Sequence, residues 1–350
     1  MKTLEIDGKM IGAGESPFII AEIGANHNGD MVLCRKLIDA AVKCGVDAVK
    51  FQSWTKDSLI SDAEYKRNTS YNDKKKHFGS LEEMVEKYQL TSEQHREVFD
   101  YCSACGVTFL SSAFTCREVE MLEDLGVAAH KIASMDINNL LLLEYIGRTN
   151  KPVILSTGMS TLGEIERAID ILKKNGTEQI ILLHCISIYP PEYKAINLNN
   201  IPMLEQTFGL PVGFSDHTLG TAIPLAAIAL GAVMVEKHFT IDKGMEGWDH
   251  AISADPEELE VIVREGRNIV LAKGTFKRTV SEAEEKKKHA FRRRIVLCKD
   301  KKMNETLNLE DLEFKRPGNG IHPHEYTYVI GRRMIRDMEK GAELDWSDLL

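Results

Sequence analysis

Eight short apolar runs, each followed by a helix-like segment, limit the possible folds of this chain more than any other feature. Their β-branched and aliphatic residues are typical of strands that are buried on both faces of a parallel sheet. Eight strand–helix units within about 250 residues predict a (β/α)8 TIM barrel. The predicted strands are residues 18–24, 46–52, 107–111, 129–133, 153–156, 179–185, 212–215 and 232–239.

A doubly wound open sheet is the alternative α/β architecture. Its first strand is usually followed by a glycine-rich turn that binds a dinucleotide. The chain reads Gly-Ala-Asn-His-Asn-Gly at residues 24–29, which does not fit that fingerprint. The sequence therefore favours the barrel, and residues 1–275 are the predicted catalytic domain.

The two ends of the chain have a different character. An Asp7-Gly8 dipeptide suited to a tight turn predicts a small hairpin before the barrel. A charged stretch predicts a linker at residues 276–290, as a solvated segment or an exposed helix. Short, turn-rich pieces predict a compact C-terminal domain at residues 291–350. A domain of that size has a small core, and we expect it to lean on the barrel or on a second subunit.

Composition excludes several classes of protein. The net charge of −9 argues against nucleic-acid binding. The longest apolar run, residues 222–235, is too short to span a membrane. Seven scattered cysteines and no secretory segment predict a cytoplasmic protein. Cys102 and Cys105 form a C-x-x-C pair, but it falls in a helix-like segment without a second pair, which argues against a zinc site.

Polar residues follow the predicted strands one after another. Barrel enzymes place their chemistry at these C-terminal ends. Two lysines among neighbouring hydroxyls predict a phosphate-binding cradle. The strand-end residues are Glu22, Lys50, Gln52, Ser111, Ser112, Lys131, Ser134, Ser156, Thr157, His184, Ser187, Tyr189, Ser215, Asp216, His217, Glu236 and His238.

Two of these residues suggest a metal site. His217 and His238 end consecutive predicted strands, whose ends lie about 4.8 Å apart in a parallel sheet. Glu236 projects to the same side as His238, because residues two apart on a strand share a face. Glu22 stands in an apolar strand, where a carboxylate either balances a lysine or transfers protons with a raised pKa.

Several motifs resemble the sialic acid synthase family over essentially the whole chain. They read FIIAEIGANHNGD, AVKFQS, KIAS, LSTGM, GFSDHT, EKHFT and KRPGNGIHP. The resemblance implies a (β/α)8 barrel followed by a small antifreeze-like (SAF) domain. It also implies an enzyme that condenses phosphoenolpyruvate with an amino sugar, and a domain-swapped homodimer in which the small domain completes the partner's site.

The same resemblance implies the site residues. His217 and His238 would bind Mn²⁺ or Mg²⁺, and Glu22 would move protons while the lysines stabilise the departing phosphate. The predicted catalytic residues are Glu22, Lys131 and Glu236. The predicted substrate-binding residues are Lys50, Gln52, Ser112, Ser134, Ser156, Ser187, Tyr189, Ser215, Asp249 and, from the partner subunit, Arg316.

Three positions depart from the family's usual pattern. Ser112 is followed by Ala113 where relatives often have proline, and Ser187 stands where they often have asparagine. Trp248 occupies a position where relatives commonly have proline, and we expect it to reshape the sugar pocket.

Other functions stay open at this stage. A Schiff-base aldolase would use Lys131 or Lys50, and a non-catalytic carbohydrate-binding barrel would use neither. The acceptor could be N-acetylmannosamine, its 6-phosphate or a diacetamido-trideoxy hexose. A long polar loop, residues 53–79, is where we expect that choice to be made.

Overall fold

A computed structural model of the chain describes residues 3–70, 72–73, 76–77, 79–316 and 318–350. Eight parallel strands pair in sequence order, and the eighth pairs with the first, which closes a barrel. The predicted (β/α)8 fold is therefore confirmed. The strands, numbered first to eighth below, are Phe18–Glu22, Ala48–Ser53, Thr108–Ala113, His130–Ile132, Val153–Ser156, Ile180–Cys185, Val212–Asp216 and Met234–His238.

Alternate residues of most strands enter two different apolar clusters. On the first strand, Ile19 and Ala21 pack outward against the helices, whereas Phe18 and Ile20 pack inside the barrel. Because successive side chains point to opposite faces and neither face meets water, the strands are continuous apolar runs. The inner cluster occupies the N-terminal end of the barrel.

Helices cover the outside of the barrel. The second connection is the longest, because two helices and a loop with two further short helices separate the second strand from the third. The principal helices are Met31–Lys43, Leu81–Tyr88, Ser92–Cys105, Cys116–Leu125, Leu140–Gly147, Leu162–Lys174, Asn200–Phe208, Ala222–Ala229 and Pro256–Lys273.

Local sequence signals set several helix ends. Thr161 caps its helix and Glu164 bonds back to the cap backbone, so each satisfies a donor that the first turn leaves open. Asp255 does the same before Pro256, which occupies the first helical turn as predicted. Gly106 ends its helix in the left-handed conformation, with φ of 69°, which glycine adopts without steric cost.

The N-terminal hairpin is confirmed. Leu4–Ile6 pairs with Lys9–Ile11 in an antiparallel sheet. Its apolar side chains Leu4, Ile6 and Ile11 belong to the inner barrel cluster, and the Thr108 hydroxyl donates to Asp7 Oδ2 at 2.8 Å. The hairpin therefore covers the N-terminal end of the barrel.

The loop after the second strand is anchored at the opposite end. Its helices are Lys56–Leu59 and Asp62–Arg67, and residues 72–73 pair with residues 76–77. Trp54 and Tyr65 pack with Leu81, Tyr88 and Phe114 in a separate apolar cluster. The loop is thus built onto the barrel by aromatic contacts.

The chain divides into two compact units, Met1–Gly274 and Thr275–Leu350. The second unit begins with an exposed helix, Glu282–Phe291, in the segment predicted as a linker or exposed helix. Strands Arg294–Leu297 and Leu312–Lys315 pair antiparallel. Its own core contains Ile295, Leu297, Leu307, Leu312, Ile321, Val329, Met334, Leu344 and Leu349.

The cysteines are thiols. Cys102 is buried and Cys105 half-buried, and both lie in the helix Ser92–Cys105 that the sequence predicted for this pair. Among the described residues, no helix has both the length and the apolar character needed to cross a bilayer.

Candidate active site

Strand register brings the predicted residues together at the C-terminal end of the barrel. Glu22 on the first strand pairs with Lys50 on one side and with His238 on the other. Ser112 pairs with Lys131. Because residues in register on parallel strands are neighbours, these side chains enter one cavity instead of being spread around the rim.

Two lysines and two carboxylates form the floor of this cavity. Lys50 Nζ lies 2.8 Å from Glu22 Oε2 and 3.8 Å from Glu236 Oε2. Lys131 Nζ lies 3.8 Å from Glu236 Oε1. Each of the four residues is at most 6% exposed. Buried charges of this kind are tolerated when they are paired and hydrogen-bonded, so the four side chains act as one unit.

Burial and the neighbouring charges shift the pKa values of three of these four side chains. Burial raises the pKa of Glu22 to about 7, although the Lys50 ammonium opposes the shift. Burial also lowers the pKa of Lys131, against the attraction of Glu236. For Lys50 the neighbouring carboxylates outweigh the effect of burial and raise its pKa. Glu22 can therefore gain and lose a proton near neutral pH.

Hydroxyl and amide groups surround the charged floor. Lys131 Nζ donates to Ser156 Oγ at 2.8 Å, and Lys50 Nζ to Ser112 Oγ at 3.3 Å. The Gln52 amide donates to Glu22 Oε1 at 2.8 Å. Glu22 thus contacts a lysine and carries a raised pKa, and its role in proton transfer stays a prediction.

A tight backbone turn places two further hydroxyls. The Gly158 N–H donates to Ser134 Oγ at 3.0 Å. A Cβ at position 158 would lie 2.4 Å from Ser187 Oγ and 2.8 Å from Ser134 Oγ. A larger residue at position 158 would therefore displace one or both of these serines.

The two predicted metal-binding histidines lie side by side. Their ring centroids are 5.5 Å apart. His217 Nδ1 lies 2.9 Å from the Ile186 carbonyl oxygen, which can only accept, so Nδ1 carries a proton and Nε2 is the nitrogen with a lone pair when the ring is neutral. The Tyr189 ring is 4.0 Å from the His217 ring, centroid to centroid.

This donor set fits a divalent metal that keeps open positions. With metal–nitrogen bonds of about 2.1 Å, one ion can bridge rings at this separation. Among the described residues no cluster of three or more histidine, cysteine or acidic side chains could hold a metal. Two imidazoles are too few protein ligands for a closed zinc site, and binding of Mn²⁺ or Mg²⁺ at this pair stays a prediction.

A buried ion pair behind the strands holds the His217 turn. Lys237 Nζ donates at 2.6 Å to both Asp216 Oδ2 and the Thr218 carbonyl oxygen. Asp216 Oδ1 accepts from the Thr218 N–H at 2.9 Å. Lys237 alternates with Glu236 and His238, so it faces away from the cavity. Its contacts fix the residues on both sides of His217, a role that the sequence analysis did not assign.

One wall of the cavity is apolar and is formed by Trp54, Leu59, Phe114 and Trp248. The Trp54 ring lies 6.0 Å from the Trp248 ring and 6.1 Å from the Phe114 ring, centroid to centroid, in edge-on arrangements. Leu59 also lines the cavity. These residues follow the second, third and eighth strands, and the analysis of the sequence singled out only Trp248 among them.

The cavity has a volume of about 330 Å³ and contains every predicted site residue except Asp249 and Arg316. Asp249 is buried beside it, with Oδ2 3.9 Å from His238 Nδ1. Arg316 belongs to the second unit, where its guanidinium lies 5.2 Å from the Phe291 ring centroid. Cys185, the last residue of the sixth strand, also lines the cavity and was not predicted.

Comparison with known proteins agrees with this geometry. The NeuB family model matches residues 37–278, and the SAF domain model matches residues 292–350. The N,N'-diacetyllegionaminic acid synthase of Campylobacter jejuni is 42% identical over 320 residues, covering 90% of this chain and 94% of that protein. The corresponding Legionella pneumophila enzyme is 36% identical over 346 residues, covering 97% and 96%.

A solved structure gives the same result. The N-acetylneuraminic acid (sialic acid) synthetase of Leptospira borgpetersenii, crystallised with citrate, aligns with a TM-score of 0.74 and 33% identity, covering 82% of this chain and 95% of that one. The chain therefore belongs to the NeuB family of sialic acid synthases, enzymes that form a carbon–carbon bond.

Proposed function

We propose that this enzyme condenses phosphoenolpyruvate with an open-chain N-acetylhexosamine, giving a nine-carbon sialic-type acid and inorganic phosphate. One observation carries the proposal. The imidazole pair of His217 and His238 opens onto the same cavity as the lysine and hydroxyl floor. On this proposal, the two histidines activate the sugar aldehyde and the two lysines bind the anion within one cavity.

Phosphoenolpyruvate suits the floor because it is a small, highly charged anion. Lys131 and Lys50 offer ammonium groups, and the hydroxyls of Ser112 and Ser156 already point at them. Charge-assisted hydrogen bonds of this type are about twice as strong as neutral ones. Ser134 and Ser215 complete the set of hydroxyls that we assign to this substrate.

Bond formation takes place between the two sites. When a divalent metal is bound, the chemistry it supplies at His217 and His238 is polarisation of the sugar aldehyde. C3 of the enol attacks the aldehyde carbon, and positive charge develops at C2. Glu22 and Glu236 line the same cavity, and we assign the stabilisation of this charge to them.

Water then adds at C2, and the C2–O bond to phosphate breaks as the ketone forms. One proton of the water ends on the former aldehyde oxygen and the other on phosphate. Glu22, with its pKa near 7, can hold a proton between these steps. Lys131 and Lys50 stabilise the charge of the departing phosphate.

The experiment that tests this proposal measures phosphate release. Release should require both phosphoenolpyruvate and a hexosamine, stop on chelation, and return with Mn²⁺. In ¹⁸O-labelled water, mass spectrometry should find the label in the sugar acid and none in phosphate. Release without the sugar, or release that a chelator leaves unchanged, would contradict the proposal.

One observation favours a Schiff-base aldolase as a second candidate. The lowered pKa of buried Lys131 is the property that such a lysine requires. Its Nζ, however, donates to Ser156 and to the Ile132 carbonyl oxygen. Borohydride treatment in the presence of pyruvate separates the two functions, because only the aldolase would leave a reduced covalent adduct on Lys131.

We also propose a homodimer in which Arg316 acts in the partner's site. Arg316 is exposed in a unit with its own core. Mixing inactive Arg316→Ala subunits with inactive His217→Ala subunits should restore part of the activity, because a mixed dimer keeps one intact site. Two variants that stay inactive after demonstrated subunit exchange would argue against swapping.

A further inference from the structure

We propose that His250 is a positioning residue for the acceptor sugar, because it fixes the loop that brings Trp248 and Asp249 to the cavity. This inference rests on the proposed function, since Asp249 is one of the residues predicted to bind the sugar. His250 is fully buried and is not among the described residues that line the cavity. It acts through the last loop, residues 239–255, which connects the eighth strand to the helix Pro256–Lys273.

The two ring nitrogens of His250 contact two different loops. Nδ1 lies 2.6 Å from Thr240 Oγ1, within the last loop. Nε2 lies 3.3 Å from Asn28 Oδ1, in the loop that follows the first strand. The Asn28 amide nitrogen in turn donates to the Glu246 carbonyl oxygen at 2.8 Å. Asn28, Thr240 and His250, called the histidine cluster below, therefore join the first and the last strand-end loops.

Gly247 packs directly against this cluster. A Cβ at position 247 would lie 2.5 Å from Asn28 Oδ1 and would also overlap the His250 ring. The backbone of the last loop can approach both residues this closely only where it carries no side chain. Because Gly247 immediately precedes Trp248, this packing sets the position from which the Trp248 and Asp249 side chains extend.

Buried hydrogen bonds hold the same backbone after Trp248. The Ser253 hydroxyl donates to the Asp249 carbonyl oxygen at 2.8 Å. The Asn26 amide nitrogen donates to Ser253 Oγ at 2.9 Å and to the carbonyl oxygen of Phe239, at the start of the last loop, at 2.8 Å. The segment that carries Trp248 and Asp249 is thus held on both sides, which preorganises it for a ligand.

This arrangement predicts an effect on one substrate and not on the other. Displacement of a substrate-positioning group by about 1 Å can cost about 100-fold in rate. The histidine cluster controls Asp249, whereas Lys50 and Lys131, which we assign to phosphoenolpyruvate, belong to the second and fourth strands. Loosening of the cluster should therefore weaken use of the sugar and leave binding of phosphoenolpyruvate unchanged.

A matched pair of variants at Thr240 tests this prediction. Thr240→Val removes the hydroxyl that contacts His250, and Thr240→Ser keeps it. Phosphate release is measured with whichever of N-acetylmannosamine, its 6-phosphate and 2,4-diacetamido-2,4,6-trideoxymannose gives the highest kcat/KM in the unmodified enzyme. Thr240→Val should raise the KM for that sugar about 10- to 100-fold. The KM for phosphoenolpyruvate should stay within about twofold, and Thr240→Ser should restore the KM for the sugar.

A second variant disturbs the cluster by steric overlap instead of by loss of a hydrogen bond. Gly247→Ala inserts a methyl group between the last loop and the pair Asn28 and His250, and it should raise the KM for the same sugar as Thr240→Val does. The matched control is Gly244→Ala, at an exposed position of the same loop, where the new methyl group would face only the end of the Asp242 side chain. Its kinetic constants should stay within about twofold of those of the unmodified enzyme.

Thermal unfolding and calorimetric binding of phosphoenolpyruvate show which variants keep their fold. If Thr240→Val does not fold, Asn28→Gly removes the amide and keeps a backbone φ of 54°, which glycine adopts without strain. An unchanged KM for the sugar in folded variants, or an equal rise in the KM of both substrates, would overturn the inference and leave the proposed function standing. No phosphate release with any of the three sugars, in unmodified enzyme that binds phosphoenolpyruvate, would overturn the proposed function and this inference with it.

Discussion

The two ends of the barrel interior are built from the same strands and from the same alternating positions, yet they differ in chemistry. On the first strand Ile20 packs in the inner apolar cluster, and Glu22, two residues later on the same face, lines the cavity. The fifth strand repeats this with Ile154 and Ser156. One end of each strand therefore stabilises the fold, and the other end carries the chemistry.

This difference separates stability from activity in a measurable way. Substitutions of inner residues at the N-terminal end should change the free energy of unfolding with little effect on turnover, and substitutions of the residues that line the cavity should mainly change turnover. Four predictions test this separation, starting with the largest expected effect.

Glu22→Gln should lower kcat by about 10²- to 10⁴-fold, the usual contribution of a positioned proton-transferring group. The amide keeps the shape of the side chain but cannot exchange a proton. Steady-state phosphate release measures the effect, and binding of phosphoenolpyruvate by calorimetry checks that the site is intact. Turnover within a factor of three of the unmodified enzyme would remove Glu22 from the mechanism.

Lys237→Met should destabilise the fold by about 3–5 kcal/mol, because it leaves the buried Asp216 carboxylate without its partner. It should also weaken Mn²⁺ binding about 10- to 100-fold, as loss of groups that orient a ligand does. Urea unfolding and Mn²⁺ titration measure the two effects. The control is Lys243→Met, whose partly exposed ion pairs should cost at most about 1 kcal/mol.

The pH dependence of stability should contain a contribution from Glu22. Between its ordinary pKa of 4.5 and its folded pKa of about 7, the folded chain holds a proton that the unfolded chain has released. The free energy of unfolding therefore falls as pH rises through this window, by up to on the order of 3 kcal/mol from this residue. Urea unfolding at pH 5 and pH 8 should show a smaller fall for Glu22→Gln. An equal fall in both proteins would contradict the raised pKa.

Ile20→Val gives the smallest effect and completes the comparison. Removal of one buried methylene should cost about 0.5–1.5 kcal/mol of stability. Because Ile20 lies below the cavity, kcat and both KM values should stay within about twofold. A large loss of turnover in a folded Ile20→Val enzyme would show that the two ends of the strand are not independent.

The strands and most residues of the cavity floor could be predicted from the sequence, because their positions depend on local periodicity. The apolar runs predicted the strands, and the strand ends predicted Glu22, Lys50 and Lys131 as neighbours. The alternation of Glu236 and His238 placed both on the cavity side. The same alternation places Lys237 on the outer face, although its partners Asp216 and Thr218 become evident only with the register of the seventh and eighth strands.

The apolar wall could not be predicted in the same way. Trp54, Phe114 and Trp248 are far apart in the chain and follow different strands, so no spacing relates them. Their convergence depends on the path of the long loop after the second strand and on Glu118, which holds two of its segments. Such contacts result from tertiary packing, and a single sequence contains no periodic signal for them.

The hairpin that covers the N-terminal end of the barrel has a kinetic consequence. Together with the inner apolar side chains that fill this end of the barrel, the hairpin leaves ligands only the opening between the strand-end loops as an entrance and exit. If phosphoenolpyruvate binds at Lys50 and Lys131 as proposed, an acceptor already resting against the aromatic rings would obstruct its route to these lysines. Phosphoenolpyruvate should therefore bind first, and a saturating acceptor should slow its dissociation in a pulse-chase measurement.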